Sequence, residues 1–139
     1  MESPDELDET MAKTALDIAR DQWRAYHTGA AVRQRQVTTE RQTQQRWDQA
    51  QRLARQAAQR LREEFGARRV VLFGSAAQRS SFTRWSDVDL AVWGVAPECF
   101  YSAVAAVTGL STEITVDLVD PDGCPTTLRT VIEREGIEL

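Results

Sequence analysis

Val70-Val71-Leu72-Phe73-Gly74-Ser75 is an unbroken apolar run closed by a glycine and a serine. A run that short with no polar position predicts a strand covered on both faces, and the Gly-Ser pair gives it a sharp exit. After eleven further residues, Asp87-Val88-Asp89-Leu90-Ala91-Val92-Trp93 alternates. Val88, Leu90 and Val92 share one face of a strand, and Asp87, Asp89 and Ala91 share the other. A third strand follows at Ile114–Val119, where Ile114, Val116 and Leu118 alternate against Thr115, Asp117 and Val119.

Helices surround these strands. Pro97 opens one that runs to about Val107, and Pro125 opens a last one that runs to Gly136. Upstream, Trp47, Ala50, Ala54, Ala57, Leu61 and Phe65 form a helical stripe ended by Gly66. Earlier still, Ser3-Pro4-Asp5-Glu6 reads as a capping box before a stripe of Met11, Ala15, Ala19, Trp23, Tyr26 and Ala30. Gly29 and Val37-Thr38-Thr39 weaken that pattern, and Thr39 with Gln42 offers a second start. Two helices and one long bent helix both fit. The expected fold class is α/β (α+β), a small mixed β-sheet flanked by helices. It carries an N-terminal helical arm over residues 1–47, and residues 48–139 form the domain.

The 139 residues carry a net charge of −4, unevenly spread. Residues 33–62 hold eight arginines against only Glu40 and Asp48, together with nine of the eleven glutamines, while both flanks are acidic. The apolar stripe beneath this Arg/Gln bias favours a helix with a solvated polar face. The longest apolar run, Ala103–Val107, is far too short to span a membrane. The acidic start MESPDELDET is unlike a basic leader, so a cytoplasmic protein is expected. Cys99 and Cys124 lack the spacing of a zinc site or a disulfide framework. His27, the only histidine, has no second nitrogen or sulfur ligand near it in sequence and reads as a surface helix residue.

Candidate chemistry gathers at the strand ends. Gly74-Ser75 can bring backbone N–H groups and a hydroxyl to an anion, aided by a helix start at Ala76-Ala77. Asp87 and Asp89 repel each other unless something positive lies between them, and all-oxygen ligands suit a hard cation such as Mg²⁺. On spacing alone, these acids read equally well as the solvent face of an edge strand. Asp117, placed the same way on the next strand, favours a site for two metals. Arg79 and Arg84 are candidate phosphate contacts, and also ordinary solvated loop residues. Trp85 reads either as a stacking platform for a base or as a core or loop anchor. Trp23 and Trp47 lie on the apolar stripes.

Leu72-Phe73-Gly74-Ser75, Asp87-Val88-Asp89-Leu90 and Val116-Asp117-Leu118-Val119 together resemble the pattern of DNA polymerase β-like nucleotidyltransferases. The ending Ile132-Glu133-Arg134-Glu135-Gly136 and the short chain are similar to the minimal nucleotidyltransferase (MNT) group. The resemblance implies that Gly74 and Ser75 hold the β- and γ-phosphates of ATP. It implies further that Asp87, Asp89 and Asp117 bind two Mg²⁺ ions, with Asp117 also a general base. Members of this group often carry Arg-Gly or His-Gly where Gln78-Arg79 stands here, which bears on the shape of the nucleotide loop.

The group lacks the added domains that hold an acceptor in larger relatives, and its members are often encoded beside HEPN ribonuclease toxins. The resemblance therefore implies an Mg-dependent antitoxin that moves AMP from ATP onto a tyrosine of a HEPN partner. A non-catalytic module that neutralises a partner through the helical arm is the alternative, and an RNA 3′-end nucleotidyltransferase is another. Dimerisation through the apolar stripes is a further use for the arm. The acidic remainder makes free nucleic-acid binding less attractive.

Overall fold

The apolar run is the strand β1, Arg69–Phe73, in a computed structural model that describes residues 30–139, with side chains from residue 35. Val70, Val71, Leu72 and Phe73 are all buried, as a strand covered on both faces requires. Antiparallel partners flank it, β2 (Val88–Trp93) on one side and β4 (Ile137–Glu138) on the other. β3 (Val116–Val119) adds parallel to β2, so the sheet is mixed with strand order β3-β2-β1-β4.

The register stacks one apolar layer across the sheet. Leu72 pairs with Leu90 and Leu90 with Leu118, while Val70 pairs with Val92 and Val88 with Val116. The helix α1, Ala30–Phe65, covers this layer with Ala50, Leu53, Ala54, Ala57, Ala58 and Leu61. Four small alanines let its backbone lie close to the strands. The helix α2, Phe100–Thr108, adds Ala103 and Val107 to the same core. Trp47 meets the buried Phe82 edge-on, with ring centroids 5.3 Å apart. On the opposite face, α3 (Thr126–Glu135) sets Ile132 against Val71, Phe73 and Ala91.

The chain divides into two units, Met1–Arg41 and Gln42–Leu139, and every side-chain contact described here lies within the second. Of the first, residues 30–41 are helical. α1 runs unbroken through Val37-Thr38-Thr39, so a fresh helix start at Thr39 is not used. Three β-branched residues cost a helix only a few tenths of a kcal/mol each. The capping box at Ser3, the stripe from Met11 to Tyr26, His27 and Gly29 lie outside the described residues. Cys99 and Cys124 are free thiols. No helix among the described residues is long and apolar enough to cross a membrane.

The last helix is followed by a strand that the sequence pattern did not show. β4 is held by Leu139 N–H donating to Val70 O at 3.0 Å and by a hydrogen bond from Arg62 to Leu139 O. Arg69 binds both Glu138 and Glu133 and lies 4.3 Å over the Trp93 ring. The hydrogen bonds from the two carboxylates raise the Arg69 pKa, and Arg69 in turn holds Glu133 below its ordinary value.

Leu61 has no exposed surface and sits where α1 meets the sheet. Leu61→Ala is expected to lower the unfolding free energy by about 3 kcal/mol, read from urea denaturation followed by circular dichroism.

Candidate functional site

The same parallel pairing that buries Val88 with Val116 and Leu90 with Leu118 places Asp89 beside Asp117 on the other face. Asp87 stands immediately before β2 rather than inside it. Asp89 is half-buried and Asp117 exposed. Burial raises the pKa of Asp89, and the charges of Asp117 and then Asp87 raise it further. Asp89 is therefore the member of the group on which burial and the neighbouring charges converge. A cleft of about 500 Å³ opens on Asp89 and Asp117, lined in part by Phe73, Thr115, Val119 and Leu128, and Asp87 is not part of its lining.

Gly74 is placed against this group because Phe73 pairs with Asp89. Its φ is +73°, and a Cβ added there would lie 2.5 Å from Asp89 Oδ2. Both the left-handed backbone and the close approach of the Asp89 carboxylate disfavour a side chain, which could enter only by displacing Asp89. The chain then makes one 3₁₀ turn, Gly74–Ala77, and a second, Arg79–Ser81. The helix expected from Ala76-Ala77 stops there because Gln78 is extended, at φ −135° and ψ 116°. A single 3₁₀ turn carries little macrodipole, so any anion at Gly74-Ser75 meets local N–H and O–H donors instead. Ser75 is partly buried.

The polar face of α1 reaches these loops. Gln51 Nε2 donates to Ala76 O at 2.8 Å. Arg46 Nε donates to Ser86 O at 3.1 Å, and Arg46 Nη1 to Glu113 O at 3.4 Å. Its Nη2 lies 3.7 Å from Asp87 Oδ1. Gln49 Nε2 donates to Glu113 Oε2 at 2.8 Å. The reading of this Arg/Gln face as merely solvated is thus corrected at Arg46, Gln49 and Gln51. The signal was available: these residues border the stripe positions Trp47 and Ala50, where a polar side chain can reach past the core.

The other candidates are placed less centrally. Arg79 Nε donates to Gln44 Oε1 at 3.1 Å, which leaves its terminal nitrogens outside that bond. Arg84 lies over the Trp85 ring at 4.2 Å, and Trp85 is 72% exposed, so it does not anchor the core. The turn that presents it is closed by Thr83 N–H donating to Ser86 Oγ at 2.9 Å.

The donor set of Asp87, Asp89 and Asp117 is all oxygen and mutually repelling, which fits a hard divalent cation. Among the described residues, no group of three or more His, Cys, Asp or Glu side chains, Asp87, Asp89 and Asp117 included, is arranged to hold a metal ion.

Residues 54–136 match the family model of a nucleotidyltransferase domain. Among solved structures, the chain is similar to one described as "Crystal structure of the toxin-antitoxin with AMP-PNP". The TM-score is 0.48 and the identity 24%, over 58% of this chain and 67% of that one. No curated protein matches the sequence.

Two outcomes follow from this geometry. Replacing Gly66, whose φ is +70° with open space around it, by alanine meets only the left-handed backbone cost of about 1–2 kcal/mol. Gly74→Ala adds displacement of Asp89 and is expected to destabilise more than Gly66→Ala in parallel urea melts. Because folding raises the Asp89 pKa, ionisation of Asp89 opposes folding. Stability from this group is full below the unfolded pKa and falls as pH rises through the folded one. In EDTA at pH 7, Asp89→Asn is therefore expected to melt above the wild type, the advantage vanishing below about pH 4.

Proposed function

The chain belongs to the nucleotidyltransferase-domain family, and on that premise we propose that it moves AMP from ATP onto an acceptor hydroxyl, a tyrosine of a HEPN ribonuclease toxin, and so acts as an antitoxin. The observation that carries the transfer chemistry is the register of Asp89 beside Asp117, next to a glycine that only a bare backbone could occupy.

Each residue has a task in this reading. Gly74 lets the β1 exit approach the phosphates, and Ser75 offers its hydroxyl as a donor. Arg79, tethered through Nε to Gln44, directs its remaining N–H groups at phosphate oxygens. Asp87, Asp89 and Asp117 would hold two Mg²⁺ ions, which when bound lower the pKa of an attacking hydroxyl and offset charge on the departing pyrophosphate. A carboxylate oxygen of Asp117 accepts the proton of the acceptor hydroxyl. Phe73, Val119 and Leu128 line the cleft beside Asp89 and Asp117 and give it an apolar wall.

The antitoxin role rests on the resemblance of the three motifs and of Ile132-Glu133-Arg134-Glu135-Gly136 to the minimal nucleotidyltransferase group. Gln44 and Arg46, which belong to the same compact unit as the carboxylates, take part in the site in this reading. An AMP ester on the toxin adds negative charge and bulk, which would oppose RNA binding at the modified site.

The test is incubation with ATP labelled in its α-phosphate, Mg²⁺ and the HEPN protein encoded beside this chain. Label is expected on the partner, reduced by at least about 100-fold in the Asp87→Asn/Asp89→Asn variant. No transfer by the wild type, or transfer unaffected in the double variant, overturns the catalytic reading. Toxin neutralisation that survives without transfer would instead identify a binding module.

A further inference from the structure

The backbone ladder between β2 and β3 takes in Asp89 and Asp117 but starts just after Asp87. Its first pairing is Val88 with Val116, preceded only by Val88 N–H donating to Thr115 O at 3.0 Å. Asp87 lies upstream of that point, and so does the approach of the chain to β3. Nothing in the sheet ties Ser86 to Glu113. The Arg46 guanidinium does. Its Nε takes the Ser86 carbonyl and its Nη1 the Glu113 carbonyl, one group from each segment. Gln49 adds a second hold on Glu113, through the side chain. The Arg46 side chain is 21% exposed, mostly withdrawn from solvent.

We infer that Arg46 is a positioning residue, a fork that extends the β2–β3 ladder by a side chain and holds the segment carrying Asp87 against the approach to β3, beyond the register that already pairs Asp89 with Asp117. This rests on the proposed nucleotidyl-transfer reading and adds a determinant from outside its motifs. A guanidinium suits the task because its planar donors bind two carbonyls in a fixed relation, which an ammonium cannot do. Residues behind metal ligands contribute by limiting how far those ligands wander, and losing such support costs about 10–100-fold in metal affinity.

Charge and position act in opposite directions here, which makes the inference separable. Arg46 Nη2 lies 3.7 Å from Asp87 Oδ1, so its charge competes with a cation for that carboxylate. If Arg46 were only a neighbouring charge, removing it would tighten metal binding. If it positions the two segments, removing it weakens binding despite the loss of a like charge.

The experiment is titration of the full chain with Mn²⁺ alone, followed by electron paramagnetic resonance of the free ion, well below each variant's melting temperature. Arg46→Ala and the better-filling Arg46→Gln are expected to bind Mn²⁺ about tenfold more weakly than wild type. Arg46→Lys, which keeps the charge but not the fork, is expected to follow them. Arg60→Ala removes the same charge from the same helix, where Arg60 pairs only with Glu64 among the described contacts, and is expected to match wild type. Wild-type binding left unchanged or tightened in Arg46→Gln overturns the positioning role alone. A wild type that binds no Mn²⁺ overturns the metal-dependent reading and this inference with it.

Discussion

The parallel pairing of β2 with β3 makes two things at once. On one face it buries Val88, Leu90, Val116 and Leu118 against α1 and α2. On the other it sets Asp89 beside Asp117. A slip of one residue would turn the valines and leucines to the cleft and the aspartates to the core. Burying a charged, unpaired carboxylate is far more costly than exposing a valine, so the slipped register is excluded by the core itself. The acids need no mutual attraction to meet. They are brought together by the apolar residues alternating with them.

That arrangement has an electrostatic consequence. Asp89 is half-buried and faces two like charges, so the folded chain holds its ionised form at a disadvantage. The nearest relief is Arg46, which approaches Asp87 at 3.7 Å, not Asp89. The cluster is thus only partly screened by the chain's own cations. The contrast with Arg69 is instructive, because there two glutamates satisfy one guanidinium and the network simply fastens β4 and α3 to β1.

The legible parts of the sequence were those whose pattern spans several residues. The alternation around Asp89 and Asp117 and the stripe from Trp47 to Phe65 each repeat a period, and the run Val70–Phe73 is bounded by its length and the Gly-Ser exit. β4 was not legible because Ile137–Glu138 is two residues long and pairs through its backbone. The 3₁₀ turns after Gly74 escaped for a related reason. Ala76 and Ala77 favour a helix by propensity, but Gln78 is drawn extended by the loop's connections. Trp85 was ambiguous because an indole in a loop serves equally inside or outside, and only burial decides it. Gly74 was read as a turn residue, which it is. The proximity of Asp89 that gives the glycine its second reason is a contact between strands.

Arg46 shows where a reading by composition misleads. Eight arginines among residues 33–62 look like one basic surface, and a count assigns them one role. Their surroundings differ by position on α1. Arg60 faces solvent and meets Glu64 one turn away, while Arg46, bordering the apolar stripe, is carried past the core to the carbonyls of Ser86 and Glu113. The helical period decides between these fates. A residue beside Trp47 and Ala50 points along the sheet toward the strand ends, whereas one on the far side can reach only its own helix. The bias therefore does not describe one surface: Arg60 pairs within its own helix, Arg62 reaches Leu139, and Arg46, Gln49 and Gln51 reach the loops beside the strands.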